Sequence, residues 1–438
     1  MGSGLRALDE PVVEMQAKVG APKRATKHTM IRRLLLASFL LTACTATIPT
    51  ARLTLVETVP VGTDLGMGEL PSTADVWVEM LEGADTSADL SHFYASDEGE
   101  SLLGPVVAAL EAAAARGVAV RFLCDERFYG IYPELLDRFS ATPGMQMRRI
   151  DLGKLTRGVQ HAKYMIMDGE DSFLGSPNFD WRSLEHIQEL GLRVRSAELA
   201  GALTDVFEID WAIAGGEPAP EPKAAPVSVT LELDPAQLPA GSDGSIEVLP
   251  AFSPQGLLAD PDSWDLPKLV QLIDQAERVL MLQTLTFDLV RGKEHFEEIE
   301  GALLRAAERG VQVQLLVANW SLRRGVLGGL QELAAMPNIE VRYVDIAQPK
   351  GEFIPFARVI HSKFILADDR AAWLGTSNIE RGYFFKSRNV GWILRGSGIG
   401  ELLGQRFRKT WDSSYAKVLD PDGSYEPPPR ELKDLKES

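Results

Sequence analysis

The sequence is poor in the residues that bind metals and make cross-links. Its 438 residues include two cysteines, Cys44 and Cys124, and six histidines. Two cysteines cannot build a disulfide framework, and no cysteine-histidine group has the spacing of a zinc site, so cofactor-free, metal-free chemistry is the expectation. Positive charge is scarce as well: 45 Lys and Arg against 62 Asp and Glu leave a net charge of −17. That balance excludes a general attraction to nucleic acid or anionic lipid, so any phosphate site must be a local basic pocket. What is plentiful is apolar residues, at 45% of the chain. This is a globular composition with room for two or three domain-sized cores.

One apolar run, residues 34–41, is too short to span a bilayer. It lies within MIRRLLLASFLLTAC (residues 30–44), where Arg32 and Arg33 precede it and small residues lead to Cys44. That order is a signal peptide, and its ending resembles the bacterial lipobox, which makes Cys44 the expected lipidated first residue of the mature protein. Residues 1–29 fit no signal-peptide region, which makes Met30 the expected start. Removing residues 1–43 leaves the remainder more acidic still. Thr45 follows the cysteine rather than a retention aspartate, so the expected location is the bacterial cell envelope, as an exported lipoprotein at the outer membrane or facing the periplasm. Anchoring in the membrane through the lipid is the expected association, and no obligate protein partner is inferred.

Past the leader the chain repeats itself. An amphipathic helix STADVWVEMLEGA precedes the strand-like DLSHFYA, as DLPKLVQLIDQAE precedes RVLMLQTLTF. Two Ala/Glu-rich helices then end in Arg-Gly-Val, with Gly117 and Gly310 where a helix must stop before a β-branched strand. Further strands and a long helix containing Trp211 or Trp411 close each half. This alternation predicts two α/β domains. The predicted boundaries are a leader over residues 1–43, a first half over 44–215, a Pro/Ala-rich linker over 216–245, a second half over 246–419 and a flexible tail over 420–438.

Within the repeat sit HAKYMIMDGEDSFLGSPN and HSKFILADDRAAWLGTSN. His161 pairs with His361, Lys163 with Lys363, Asp168 with Asp368, Gly175 with Gly375 and Asn178 with Asn378. Four matches beyond a given histidine arise by chance at a rate on the order of one in 10⁵. A purely structural repeat has no reason to keep His, Lys and Asn on the polar phase of a strand. Residues two apart on a strand share a face, so each His-Lys pair makes one face cationic and nucleophilic. Asp168 and Asp368, at the strand ends, are better suited to structural hydrogen bonding than to acting as bases. The Gly-Ser-x-Asn and Gly-Thr-Ser-Asn turns bring an amide and a hydroxyl back beside the histidine.

Through both His-x-Lys-x-x-x-x-Asp motifs, the chain resembles the HKD, or phospholipase D, superfamily over nearly all of residues 52–415. GSPNFDWRSLEHIQELG, IPFARVIHSKF and LGTSNIERGYF resemble the branch of the animal lysosomal phospholipase-D-like exonucleases and the poxvirus envelope phospholipase, with Pro177 a departure from its usual small residue. The resemblance implies two halves packed about a pseudo-twofold axis, one shared metal-free active site and a covalent phosphohistidine. Glu189 falls at the position of the family's carboxylate that orients a histidine ring, and Asn389 stands at the equivalent offset in the second half. The resemblance therefore implies Glu189 behind His161 as nucleophile, with amide-backed His361 as general acid and then base. Without the resemblance, Glu189 also reads as a surface residue at a strand end.

Other residues carry weaker signals. His92 is a candidate pocket residue on an inner strand, His186 a surface hydrogen-bonding residue and Cys124 a buried small hydrophobe. Trp181, Trp373 and the cluster Tyr383, Phe384 and Phe385 fit a stacking platform, an acyl wall or core packing. Three functions compete. The first, favoured by the expected anchor, is a phosphodiesterase acting on phospholipid head groups. The second is a 5′ single-stranded DNA or RNA exonuclease, and the third is an inactive envelope-binding lipoprotein, against which the complete motifs weigh.

Overall fold

The computed structural model describes residues 51–220, 228–291 and 294–431. Cys44 and the leader lie outside this range, as do residues 221–227 of the expected linker. No helix among the described residues is long and apolar enough to cross a membrane.

Local sequence explains where the repeated elements begin and end. Ser72 caps the helix Thr73–Gly83 by accepting from the amide of Asp75, and Gly117 ends the helix Leu103–Arg116 at φ +97°, a conformation that costs glycine little. Gly310 takes φ +84° at the matching place, after the helix Glu297–Glu308. Each of these helices hands over directly to an apolar strand, Ala119–Asp125 or Gln312–Ala318.

Among the described residues sixteen strands form one sheet, and three short two-stranded pairs lie outside it. From its centre outward, the first half contributes Arg52–Thr58, Glu189–Arg195, Asp171–Gly175, Tyr164–Met167, Ser87–Ser91, Ala119–Asp125 and Met145–Ile150. The second half contributes Ser245–Pro250, Gly391–Arg395, Ala371–Gly375, Phe364–Ala367, Val279–Thr284, Gln312–Ala318 and Ile339–Val344 in the same outward order. The repeat in sequence is thus a repeat in topology, and the two copies meet at the middle of the sheet. Each half has its own core between sheet and helices, but a third apolar cluster belongs to both. It contains Leu203, Phe207 and Trp211 from the helix Ala197–Gly215, with Leu403, Phe407 and Trp411 from the helix Ser397–Trp411. Burying such side chains contributes about 1.5–3 kcal/mol each, so the halves are bound as one unit rather than tethered.

Two boundaries differ from expectation. The stretch assigned to a linker contains the strand Val229–Leu233, which pairs in parallel with Arg52–Thr58 and antiparallel with Ser245–Pro250. It therefore joins the half-sheets. The region expected as a flexible tail is anchored through residue 431: Gln331 Nε2 donates to the Gly423 carbonyl at 2.8 Å, and the Phe356 amide donates to the Arg430 carbonyl at 3.0 Å.

Candidate active site

The two motif histidines are delivered to one place by the strands Tyr164–Met167 and Phe364–Ala367, which each histidine precedes by three residues. At the far end of each strand the motif aspartate turns the chain at φ 55°. Asp168 accepts from the amides of Asp85, Thr86 and Ser87 at 2.7–2.9 Å, and Asp368 from those of Glu277, Arg278 and Val279 over the same range. These aspartates fasten the strand to its neighbour, at the end away from the motif histidine.

Each histidine is held by the opposite half. The His161 amide donates to the Arg388 carbonyl at 3.0 Å, and the His361 amide to the Gln188 carbonyl at 2.8 Å. The next residue along, Asn389 or Glu189, then backs the ring. Here the structure corrects the expected pairing: Glu189 lies behind His361, with both carboxylate oxygens 2.9 Å from Nδ1, and Asn389 Oδ1 lies 3.1 Å from His161 Nδ1. The reason is the crossing of the halves, which carries each backing residue away from its own motif.

The network fixes both tautomers. Asn389 Nδ2 donates to the Tyr383 and Ser387 carbonyls, while Thr376 Oγ1 donates to Asn389 Oδ1. The amide can therefore only accept from His161, whose proton sits on Nδ1. Glu189 likewise holds the proton of His361 on Nδ1. Both rings are left with Nε2 free for chemistry.

Five titratable groups in so small a space perturb one another. Burial and the two motif lysines hold His161 well below its usual value. Burial also pulls His361 down, to about 4, with the Glu189 charge opposing. Glu189 itself is fully buried, which pushes its carboxyl up, yet His361 and Lys363 leave it ionised below its usual range. Burial lowers Lys363 to about 7 against the pull of Glu189, and burial plus the Lys363 charge lowers Lys163 well below its usual range. Each lysine also donates to the carbonyl of its own motif histidine. An anion entering this cluster would restore positive charge to the lysines, which is the electrostatic signature of a phosphate site.

His161, His361, Asn178 and Asn378 line one cavity of about 470 Å³. The ring of Tyr383 meets His161 edge-on at 4.7 Å between centroids, and Phe93 does so at 4.9 Å from another side. Tyr383 was one of the aromatic candidates; Phe93 gave no signal in the sequence. Trp373 and Phe384 belong to the core, and Trp181 packs edge-on against half-buried His186. His92 does not line the cavity. It is fully buried among Trp77, Phe122 and Phe179, because its strand turns that position toward the helices. Cys124 is buried, and its thiol is pushed up to about 12.

Sequence reasoning also missed the groups that brace the site. Gln188 and Ser362 bond each other and Gln283 on one side, and Gln160 bonds Ser91 on the other. Arg388, whose carbonyl holds His161, makes a bidentate ion pair with Asp210 at 2.7 Å, both side chains fully buried. A lone arginine and a lone aspartate 178 positions apart offered no local pattern by which to find them.

A family model described as "Cardiolipin synthase, PLD-like domain" matches residues 77–211 and 269–411. The human 5′-3′ exonuclease PLD3 is 30% identical over 401 residues, covering 84% of this chain and 80% of that one. Phospholipase D Z of Dictyostelium discoideum is 26% identical over 381 residues, covering 83% and 89%. Among solved structures, the phosphatidylserine synthase of Haemophilus influenzae shares the fold with a TM-score of 0.57 at 12% identity, covering 79% of this chain and 85% of that one. Two matched segments, two motif histidines meeting in one cavity and long relatives of one kind agree: the chain belongs to the phospholipase D superfamily and is a phosphodiesterase of that family.

Proposed function

We propose that this phosphodiesterase is a single-strand exonuclease that removes one nucleotide at a time from a 5′-hydroxyl end through a phosphohistidine. The observation that carries this is the character of the space around the histidines. The cavity is walled by rings, including Phe93, Tyr94, Phe128, Tyr132 and Trp320, on which a base can stack. It adjoins a chamber of about 1060 Å³ in whose lining Arg127, Arg157, Arg323, Arg381, Lys386 and Arg430 outnumber the acids Asp125, Asp151, Asp288 and Glu380. This gives the local positive site that a chain of net charge −17 requires for a polyanion. A phospholipid needs an apolar surface for its acyl chains. The large exposed hydrophobic residues Val61, Leu102, Ile131, Leu155, Met336 and Val418 are scattered, and only Ile131 lines the cavity. The relatives named 5′-3′ exonuclease support the same choice. Phospholipid, the substrate favoured from the sequence, becomes the second reading.

In this mechanism His361 is the nucleophile, because the Glu189 carboxylate makes it the more basic ring. Its Nε2 attacks phosphorus, an N–P bond forms and the P–O5′ bond of the following nucleotide breaks. His161, which takes up a second proton on Nε2 when the substrate's phosphate anion offsets the charge of the lysines, gives that proton to the departing O5′. Water then attacks phosphorus while neutral His161 takes its proton, the N–P bond breaks, and a 3′-phosphorylated nucleotide leaves. Lys163, Lys363, Asn178 and Asn378 stabilise charge on the non-bridging oxygens and supply the stabilisation a metal would otherwise give. For location, we propose the lipid anchor at Cys44. Cys44→Ala should move the protein from membrane to soluble fractions, and unchanged partition would refute the anchor.

The experiment incubates the signal-free protein in EDTA with a labelled 5′-hydroxyl oligonucleotide, phosphatidylcholine and cardiolipin. Stepwise shortening of the oligonucleotide is the expected result. Head-group release with intact DNA would move the assignment to phospholipid, and no turnover of any substrate would leave a binding module.

A further inference from the structure

We infer that the C-terminal segment through Glu431 is a working wall of the active site, and that Arg430 is a specificity-determining residue that holds the leaving strand by its phosphates. This rests on the exonuclease reading and names the group that recognises the polymeric part of the substrate. The segment leaves the sheet at Leu419, whose amide donates to the Val341 carbonyl at 2.9 Å. It is then pinned in turn by Gln331 on Gly423, by Tyr425 packed edge-on against Tyr343 at 5.6 Å, and by the Phe356 amide on the Arg430 carbonyl. Four fixed points over twelve residues hold the backbone in one course, so the last side chains are placed rather than merely nearby.

The course ends at the seam between the two chambers. Arg430 lines the larger basic chamber, and Glu431 lines the catalytic cavity. Trp320 lines both, and the Arg430 guanidinium lies 5.8 Å from its ring centroid. Arg430 is exposed, so its charge stands at the surface of that chamber. Four acids line the same chamber. Asp125 accepts from three backbone amides, Asp151 pairs with Lys154, Asp288 accepts from the Val290 amide, and Glu380 accepts from Thr286 and faces Arg323 at 3.6 Å. Six basic side chains against these four acids leave the lining with an excess of positive charge. A strand whose terminal nucleotide occupies the smaller cavity has its next phosphates in the larger one. An arginine stacked on Trp320 can meet such a phosphate while its partner ring meets the base.

The test compares two substrates of one chemistry: a 5′-hydroxyl oligothymidylate, and thymidine 3′-(p-nitrophenyl phosphate), which carries a chromophore in place of the strand. Arg430→Ala should lower kcat/KM on the oligonucleotide about tenfold through KM, the scale of one charge-assisted contact, and leave the chromogenic ester unchanged. It should also flatten the slope of log kcat/KM against log salt by about 0.7, one phosphate contact on a single strand, and Arg430→Lys should restore that slope. Equal losses on both substrates, or an oligonucleotide rate and salt slope like those of the parent, would overturn the inference. A parent enzyme that hydrolyses the ester and leaves the oligonucleotide intact would instead sink the exonuclease reading on which this rests, so the two failures are told apart.

Discussion

The two halves carry the same motif and treat it differently. His161 and His361 arrive on equivalent strands, each with its backbone amide bonded to the other half, yet one ring is backed by the Asn389 amide and the other by the Glu189 carboxylate. The supporting groups follow the same division. Behind the His361 amide stands neutral Gln188, bonded to Ser362 and Gln283, whereas behind the His161 amide stands Arg388, paired with buried Asp210. A second buried contact, Arg406 Nε to Glu57 Oε2 at 3.1 Å, again sets a base of the second half against an acid of the first. Duplication thus gives a scaffold in which each half is incomplete. A few substitutions at the crossing point are enough to give two identical rings two different roles.

The largest effect expected from breaking this asymmetry is on stability. Arg388→Met leaves the Asp210 carboxylate buried without its partner, and should cost about 3–5 kcal/mol by urea denaturation, with Arg388→Met/Asp210→Leu recovering most of it. Gln188→Met at the matching place removes only neutral hydrogen bonds and should cost about 1–3 kcal/mol. Equal costs at the two positions would mean that the buried pair is not special.

The next effect is on rate and pH. Glu189→Gln should lower kcat about 10²-fold, while Asn389→Ala should cost less, since no charge is lost. The free enzyme needs His361 neutral, with His161 and Lys363 protonated. Activity measured as kcat/KM should therefore fall as pH drops through about 4, and should also fall on the alkaline side, where His161, held well below its usual value, and then Lys363 at about 7 lose their protons. The Glu189 charge raises His361 and Lys363, so Glu189→Gln should move the acid limb and the Lys363 step to lower pH; steps that stay fixed would detach Glu189 from the pair.

The smallest effect comes from a buried difference in the cores. His92 has no hydrogen-bond partner for either ring nitrogen among the described residues, and burial drives it down to about 3. The matching residue of the second half, Thr284, donates to the Thr286 carbonyl. Because the unfolded chain takes up a proton near pH 6.5 and the folded one near 3, wild-type stability should fall as pH drops below about 6.5. Relative to pH 8, that loss amounts to about 2 kcal/mol at pH 5. His92→Leu should remove this part of the pH dependence, and an unchanged slope between pH 8 and 5 would contradict the assignment.

The repeat made the architecture legible before any coordinates. Helix and strand order, the glycine stops at Gly117 and Gly310, and the paired His, Lys and Asn residues are all local patterns that recur. What crosses between the halves was not legible. The offset from motif to Glu189 or Asn389 is the same in both copies, and an offset within one half says nothing about which ring the side chain will face. The strand Val229–Leu233 was readable in principle, since VTLEL alternates, but its Pro-rich neighbours masked it. The anchoring of residues 420–431 depends on Tyr343, Gln331 and Phe356, all remote in sequence.

The central claim is that the carboxylate-backed ring is the nucleophile, and trapping the intermediate tests it directly. With thymidine 3′-(p-nitrophenyl phosphate), His161→Asn should still form the phosphoenzyme, because p-nitrophenolate needs no acid to leave, but should fail to hydrolyse it for want of a base. Peptide mapping should then recover the acid-labile, base-stable label on His361, and His361→Asn should give none. Label on His161 in the His361→Asn protein, or normal burst kinetics with label on neither ring, would contradict the account.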